Sequence, residues 1–212
     1  MKNLTRLLLF AAAFVALEKV SLAQFCNVVD PPVEWQASAG FSPDSPRWIG
    51  TAPDRKFLLA SVGYNYRCWS VKSVNIDFSV SLLPVATVFQ PNQLRFDVTT
   101  GQSVFIRKHA VYGLGVMPVG FILTPKKETR VQPFFDTHGG IIVSTDPIPY
   151  DITDATALNF LFDLGGGIKW KIGPHQATAI GYKFLHVSNA STTRTNPGLD
   201  NNLVTVSFIL QR

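Results

Sequence analysis

The chain has 212 residues, 19 Lys and Arg against 14 Asp and Glu, a formal net charge of +5, and 46% hydrophobic residues. That length bounds one domain with a sizeable core. The mild positive excess comes without the aromatic-basic motifs of RNA binders, so no nucleic-acid partner is expected. Two cysteines, Cys26 and Cys68, are too few and too far apart for a zinc site. In an oxidising compartment they suit one disulfide.

The N-terminus reads as an export signal. Lys2 and Arg6 precede an apolar run from Leu7 to Leu17, and Ser21-Leu22-Ala23 supplies small residues for cleavage. This is the pattern of a secretory signal peptide over 1–23, with 24–212 left as a single domain. Glu18 and Lys19 sit close to the apolar run. The run is too short to span a bilayer as a helix, and no later segment is long enough. Phe25 before Cys26 does not fit a lipoprotein anchor. Removing 1–23 takes away Lys2, Arg6, Lys19 and Glu18, which lowers the net charge to +3.

From there on, period-two alternation recurs and helical periodicity is nearly absent. An early segment, 33–41, carries Val33, Trp35, Ala37, Ala39 and Phe41 on one face. Segments 56–68 and 110–121 also read as strands. In 74–82, Val74, Ile76, Phe78, Val80 and Leu82 alternate with Asn75, Asp77, Ser79 and Ser81. In 131–143, Val131, Phe135, Ile141 and Val143 oppose Gln132, Asp136 and His138. In 160–170, Phe160, Phe162, Leu164, Ile168 and Trp170 alternate with Asp163, Lys169 and three glycines at 165–167. Ile180, Tyr182 and Phe184 oppose Lys183 and small residues in 178–188, and Val204, Val206, Phe208 and Leu210 oppose Thr205 and Ser207 in 203–210.

These segments predict eight strands. The connections alternate between short (near 70–72, 124–129 and 172–175) and long (42–54, 85–108, 145–157 and 189–201). The fold expected is all-β, an eight-stranded antiparallel transmembrane β-barrel of the outer-membrane type, with tight periplasmic turns and longer outer loops. Asp77, Asp136, Asp163, Lys169 and Lys183 would then pair inside it. A soluble barrel of lipocalin type would have an apolar interior and a polar exterior. The aromatic-rich apolar faces, opposed by small and oppositely charged residues, argue against that. The chain departs from a barrel's customary aromatic C-terminus, since Phe208 is followed by Ile-Leu-Gln-Arg. The Gly165-Gly166-Gly167 run opens no helix, so it reads as close packing rather than a phosphate loop.

One strand breaks its own pattern. His186 and Ser188 continue the face of Ile180, Tyr182 and Phe184, the lipid-facing side, near the outer end of the seventh strand. Asp200 has the parity of the eighth strand's lipid face, just before that strand. A base, a hydroxyl and a carboxylate can meet there: a serine needs a base to become a nucleophile, and a carboxylate fixes the imidazole tautomer. Asn189 and Asn196, in the same loop, are candidate donors to an oxyanion. By spacing alone, His-x-Ser is equally a polar strand end beside Ser-Thr-Asn-Pro-Gly turn chemistry. Asp136 and His138 read as a lumen ion pair, and the Arg107-Lys108-His109 stretch as solvated loop that could meet anionic phosphate groups.

The wider stretch "HVSNA" followed by "NPGLD" (within residues 181–200) resembles the signature of the lipid A 3-O-deacylase (PagL-like) family, also labelled acyloxyacyl hydrolases. The resemblance implies an outer-membrane barrel with a lipid-facing triad. Its nucleophile falls on Ser188, its histidine on His186 and its acid on Asp200, where the family has a longer Glu. Ser191 stands where a Gly is often found. Outer-membrane phospholipase A shares a His-x-Ser-Asn element, but the mature chain is too short for its twelve strands. The resemblance implies no metal and no cofactor. It implies lipid A, or lipopolysaccharide, and the bacterial outer membrane as partners, and a homodimer is compatible with it. A non-catalytic surface barrel and a phospholipase are the alternatives. Because the family carries Glu, an Asp200→Glu change is expected to be tolerated or even to improve activity.

Overall fold

The computed structural model describes Cys26, Val28, residues 32–97 and residues 100–212. The leader expected over 1–23 lies outside the described residues. Among the described residues ten strands form: β1 (Val33–Ser42), β2 (Lys56–Val71), β3 (Val74–Gln90), β4 (Gln93–Asp97), β5 (Gln102–Ile106), β6 (His109–Pro125), β7 (Val131–Ile148), β8 (Thr156–Gly173), β9 (Gln176–Ser188) and β10 (Gly198–Gln211). Eight of them close a barrel in the order β1-β10-β9-β8-β7-β6-β3-β2. Closure comes from antiparallel pairing of β1 with β10, from Glu34 opposite Gln211 to Phe41 opposite Val204. No edge remains in the barrel, so each of its eight strands finds its backbone partners without water, as a bilayer demands.

The alternation has the predicted sense. Val204, Val206, Phe208, Leu210, Ile180 and Tyr182 are exposed, whereas Asp77, Asp136, Asp163 and Lys169 are buried in the lumen. Phe78 faces outward by parity yet is buried, because Tyr66 and Phe121 flank it with ring centroids 5.7 and 5.8 Å away. With Tyr64 beside Tyr66, Trp35 beside Tyr64 and Trp69 beside Phe121, these rings form a girdle at the short-turn rim. Such aromatic girdles mark the membrane interface of a barrel.

The lower lumen is an ion-pair network. Lys183 Nζ lies 2.7 Å from Asp136 and 3.5 Å from Asp163. His138 bridges Asp163 (2.9 Å) and the Ser79 hydroxyl (3.1 Å). Arg67 pairs with Asp77 at 2.8 Å and Lys169 with Glu34 at 2.7 Å. Room for the Lys183 stem comes from Gly165, where a Cβ would collide with the Tyr182 carbonyl and with Lys183 itself. Lys183→Ala strands the buried Asp136 carboxylate and leaves Asp163 with His138 alone, and breaking such a buried pair costs about 3–5 kcal/mol. The variant barrel is expected to unfold at a clearly lower temperature in a heat-modifiability gel. A midpoint like the wild type's would contradict this.

Cys26 and Cys68 are disulfide-bonded across 42 residues of sequence, with Cα atoms 4.4 Å apart. The bond ties the N-terminal segment to the short-turn end of β2. Cys68→Ser is expected to lose on the order of 2–4 kcal/mol of stability, read as an earlier heat shift that reductant reproduces in the wild type.

Three features depart from the sequence expectations. The 85–108 connection is not all loop: β3 runs on to Gln90, and Pro91 then separates it from the β4–β5 hairpin, in which Leu94 faces Phe105 across the ladder. The outer half of the lumen is apolar, built from Phe57, Leu83, Val88, Val111, Ile142, Leu185, Val187, Leu199 and Leu203. Finally, β10 begins at Gly198, five residues earlier than its hydrophobic alternation indicates, because Leu199 and Leu203 point inward into that apolar plug.

Candidate active site

The early start of β10 sets the site. Antiparallel register places Asp200 directly opposite His186 and Gly198 opposite Ser188. On the other flank, Phe162 faces His186 and Phe160 faces Ser188. Directly opposed residues share a sheet face, and both phenylalanines are exposed, so His186 and Ser188 look outward from the barrel near its long-loop rim. Their neighbours Leu185 and Val187 are fully inward, each 1% exposed. At this height the strand therefore inverts: apolar inside, polar outside.

His186 Nδ1 lies 2.6 Å from Asp200 Oδ1. The carboxylate is wholly buried, and its second oxygen accepts three backbone N–H bonds, from Trp48 (2.8 Å), Ile49 (2.6 Å) and Gly50 (2.8 Å). These residues belong to the β1–β2 connection, which wraps over the outer end of β10. Two further amides of that loop, Thr51 and Ala52, donate to the Gly198 carbonyl at 2.9 and 3.1 Å. The Ser45 hydroxyl donates to the Asp200 carbonyl at 2.7 Å. A Cβ on Gly50 would lie 2.6 Å from the Gly198 carbonyl oxygen, so only glycine lets the loop come this close. Trp48 then stacks on Phe184, with centroids 5.3 Å apart and planes 15° from parallel.

The far edge of the imidazole is turned to the serine's level. A Cβ on Gly198 would stand 2.8 Å from His186 Cε1 and 3.3 Å from Nε2, so the ring lies over the residue that pairs with Ser188. With a carboxylate at Nδ1, the neutral ring carries its proton there and leaves Nε2 as the basic lone pair. Ser188 is 6% exposed, and among the described residues its hydroxyl has no hydrogen-bond partner. The two groups that nucleophilic catalysis would join are thus both uncommitted.

The two asparagines fare differently. The Asn189 side chain is buried and consumed by its own loop. Its Nδ2 contacts Thr193 Oγ1 (2.7 Å), the Thr195 carbonyl (3.1 Å) and the Asp154 carbonyl (3.2 Å), and its Oδ1 accepts the Ser191 N–H at 3.0 Å. That last bond holds a left-handed pair, Ala190 (φ 51°) and Ser191 (φ 61°), which explains why glycine suits position 191. Asn196 is exposed and makes no side-chain hydrogen bond among the described residues. No cluster of three or more metal-ligating side chains occurs among those residues. Asp136 and His138 are in the lumen, each paired to a different strand.

A closed eight-stranded barrel with an apolar exterior and an aromatic girdle defines an outer-membrane β-barrel protein. Residues 60–208 match the family profile "Lipid A 3-O-deacylase (PagL)", and the chain belongs to that family. It is located in the bacterial outer membrane. Among solved structures, the fold is similar to that of the outer membrane enzyme PagL, with a TM-score of 0.57 at 14% identity, covering 82% of this chain and 97% of that one. Neisserial surface protein A is also similar, with a TM-score of 0.51 at 10% identity, covering 84% and 96% of the two chains. No curated protein sequence matches the chain.

Proposed function

We propose that the protein is a serine esterase that removes the 3-O-linked acyl chain of lipid A in the outer leaflet, with Ser188, His186 and Asp200 as its triad. The observation that carries this reading is the outward imidazole, bound at Nδ1 to a buried carboxylate 2.6 Å away and lying over the register partner of Ser188. Nothing in a barrel's architecture requires that arrangement on its lipid-facing side.

His186 Nε2 takes the Ser188 proton as the serine oxygen attacks the ester carbonyl. Asp200 stabilises the imidazolium without itself taking the proton. Collapse of the tetrahedral adduct breaks the bond to the sugar oxygen, which leaves with the proton from His186. Water, activated by the same imidazole, then releases the fatty acid and restores the serine. The negative oxygen of the adduct needs donors; Asn196 is the side chain in this loop with an amide to offer. Asn189 shapes the loop from behind.

Mass spectrometry of lipid A from cells with and without the protein tests this. A lipid A species lighter by one 3-linked acyl chain, appearing only when the protein is expressed, is the expected result. Unchanged lipid A with cleaved phospholipid would assign the triad to a phospholipase instead.

A further inference from the structure

We propose that the outer rim above β6 and β7 holds a second ligand site, a basin that takes a phosphorylated saccharide. The basin has a volume of about 590 Å³. One wall is Arg107, Lys108 and His109, where the β5–β6 connection runs into β6; the opposite wall is Tyr150, Ile152 and Thr153 of the β7–β8 connection. Arg107 and Lys108 are exposed, and neither side chain has an ion-pair partner among the described residues.

The carboxylate that lines the basin is committed to another cation. Asp151, which also lines the basin, accepts from Arg55 Nη2 with both carboxylate oxygens, 2.7 Å to each. Asp146 accepts from His109 Nε2 at 3.2 Å. Arg107 and Lys108 thus stand without an ion-pair partner among the described residues at the mouth of a concave surface. A guanidinium beside an ammonium suits a phosphoryl group, the first as a planar fork and the second as a point charge.

The floor adds a second chemistry. Tyr150 is 43% exposed, and its ring packs on the His109 imidazole with centroids 4.4 Å apart. Its backbone N–H is fixed by Gln90 Oε1 at 2.6 Å. A rigid, half-exposed aromatic pair offers an apolar face for the C–H side of a sugar ring. Cations alone would describe any anion; cations over an aromatic floor describe a sugar phosphate.

The basin and the triad loop also share a wall. The β7–β8 connection that lines the basin offers the Asp154 and Thr153 carbonyls to Thr193 (2.7 Å) and Thr195 (3.4 Å) of the β9–β10 connection. Three strand spacings separate β6 from β9 in the barrel order, about 15 Å at the usual inter-strand distance. A disaccharide headgroup whose ester lies at Ser188 reaches across that span. The basin itself does not depend on the esterase reading; its assignment to the substrate's own headgroup does.

The test uses the full-length protein in zwitterionic detergent, with glucosamine 1-phosphate and inorganic phosphate as probes followed by phosphorus NMR line width. Wild type is expected to broaden the sugar phosphate more than inorganic phosphate, and the R107A/K108A double variant is expected to broaden neither. No broadening by the wild type, or equal broadening by the variant, overturns the site. This arm needs no catalysis, so it stands even if the protein proves not to be an esterase. The second arm compares deacylation of phosphorylated and dephosphorylated lipid A. A rise in KM of roughly five- to ten-fold in the variant, the scale of two exposed charge contacts, confined to the phosphorylated substrate and with kcat unchanged, assigns the basin to the substrate headgroup. Binding lost with KM unchanged also supports the site, and assigns it to other phosphorylated sugars of the surface.

Discussion

Ser188→Ala is expected to reduce release of the 3-linked acyl chain from lipid A by roughly 10⁴-fold or more, and His186→Ala by about the same, with the double variant no worse than either single one. The reason is that the serine hydroxyl has no partner among the described residues and, in the proposed triad, depends on Nε2 alone to become a nucleophile. Its neighbours across the ladder, Phe160 and Gly198, offer no base. Neither change should disturb the barrel, because both side chains lie on its outer face and the apolar plug behind them is made by Leu185 and Val187. Heat-modifiable migration of each variant checks that. Acyl release is then measured by mass spectrometry on the folded protein. Wild-type rates from Ser188→Ala would remove the triad from this protein.

The barrel was legible because its pattern is repetitive. Outward Val204, Val206, Phe208 and Leu210, and inward Asp136, Asp163 and Lys183, follow directly from period two. The parity of His186, Ser188 and Asp200 was legible for the same reason. What parity could not supply is height along the strand. The pairing of Asp200 with His186 depends on β10 beginning at Gly198, which rests on burial of Leu199 and Leu203 in an apolar outer lumen. The signal was there in Leu185 and Val187, apolar on a face that elsewhere carries lysine and small residues. The β4–β5 hairpin was missed because five-residue strands with mixed faces resemble loop. The Trp48-Ile49-Gly50 contribution was missed for a deeper reason: it acts through backbone amides, which leave no chemical mark on the side-chain sequence. Two large apolar residues before a glycine, in an otherwise polar loop, were its faint trace. Asn189 shows the converse. Its residue type suits an oxyanion donor, but its donors are held by the loop it organises.

Asp200→Glu is expected to lower kcat about 10- to 100-fold, contrary to what kinship with glutamate-bearing relatives suggests. The Asp200 carboxylate has no free volume around it: one oxygen is 2.6 Å from the imidazole, and the other lies within 2.8 Å of three amides. An added methylene moves the carboxylate by roughly 1.5 Å along a side chain of standard bond lengths. It must then give up either the loop amides or the histidine, and hydrogen bonds to a charged group contribute about 1.5–3 kcal/mol each, which is the 10- to 100-fold stated. Asp200→Asn should be worse than Glu. If its oxygen keeps the three loop amides, its NH₂ meets Nδ1 and forces the proton to Nε2, where it cannot serve as a base; a wrong tautomer of this kind costs about 10⁴-fold. Gly50→Ala attacks the same device from outside, since its methyl would press on the Gly198 carbonyl and lift the amides off the acid without touching a triad residue. Its kcat should fall in the same direction as that of Asp200→Glu, with KM little changed, because no substrate contact is lost. Full activity from both Asp200→Glu and Gly50→Ala would mean that the β1–β2 loop merely rests on the acid and does not hold it in place.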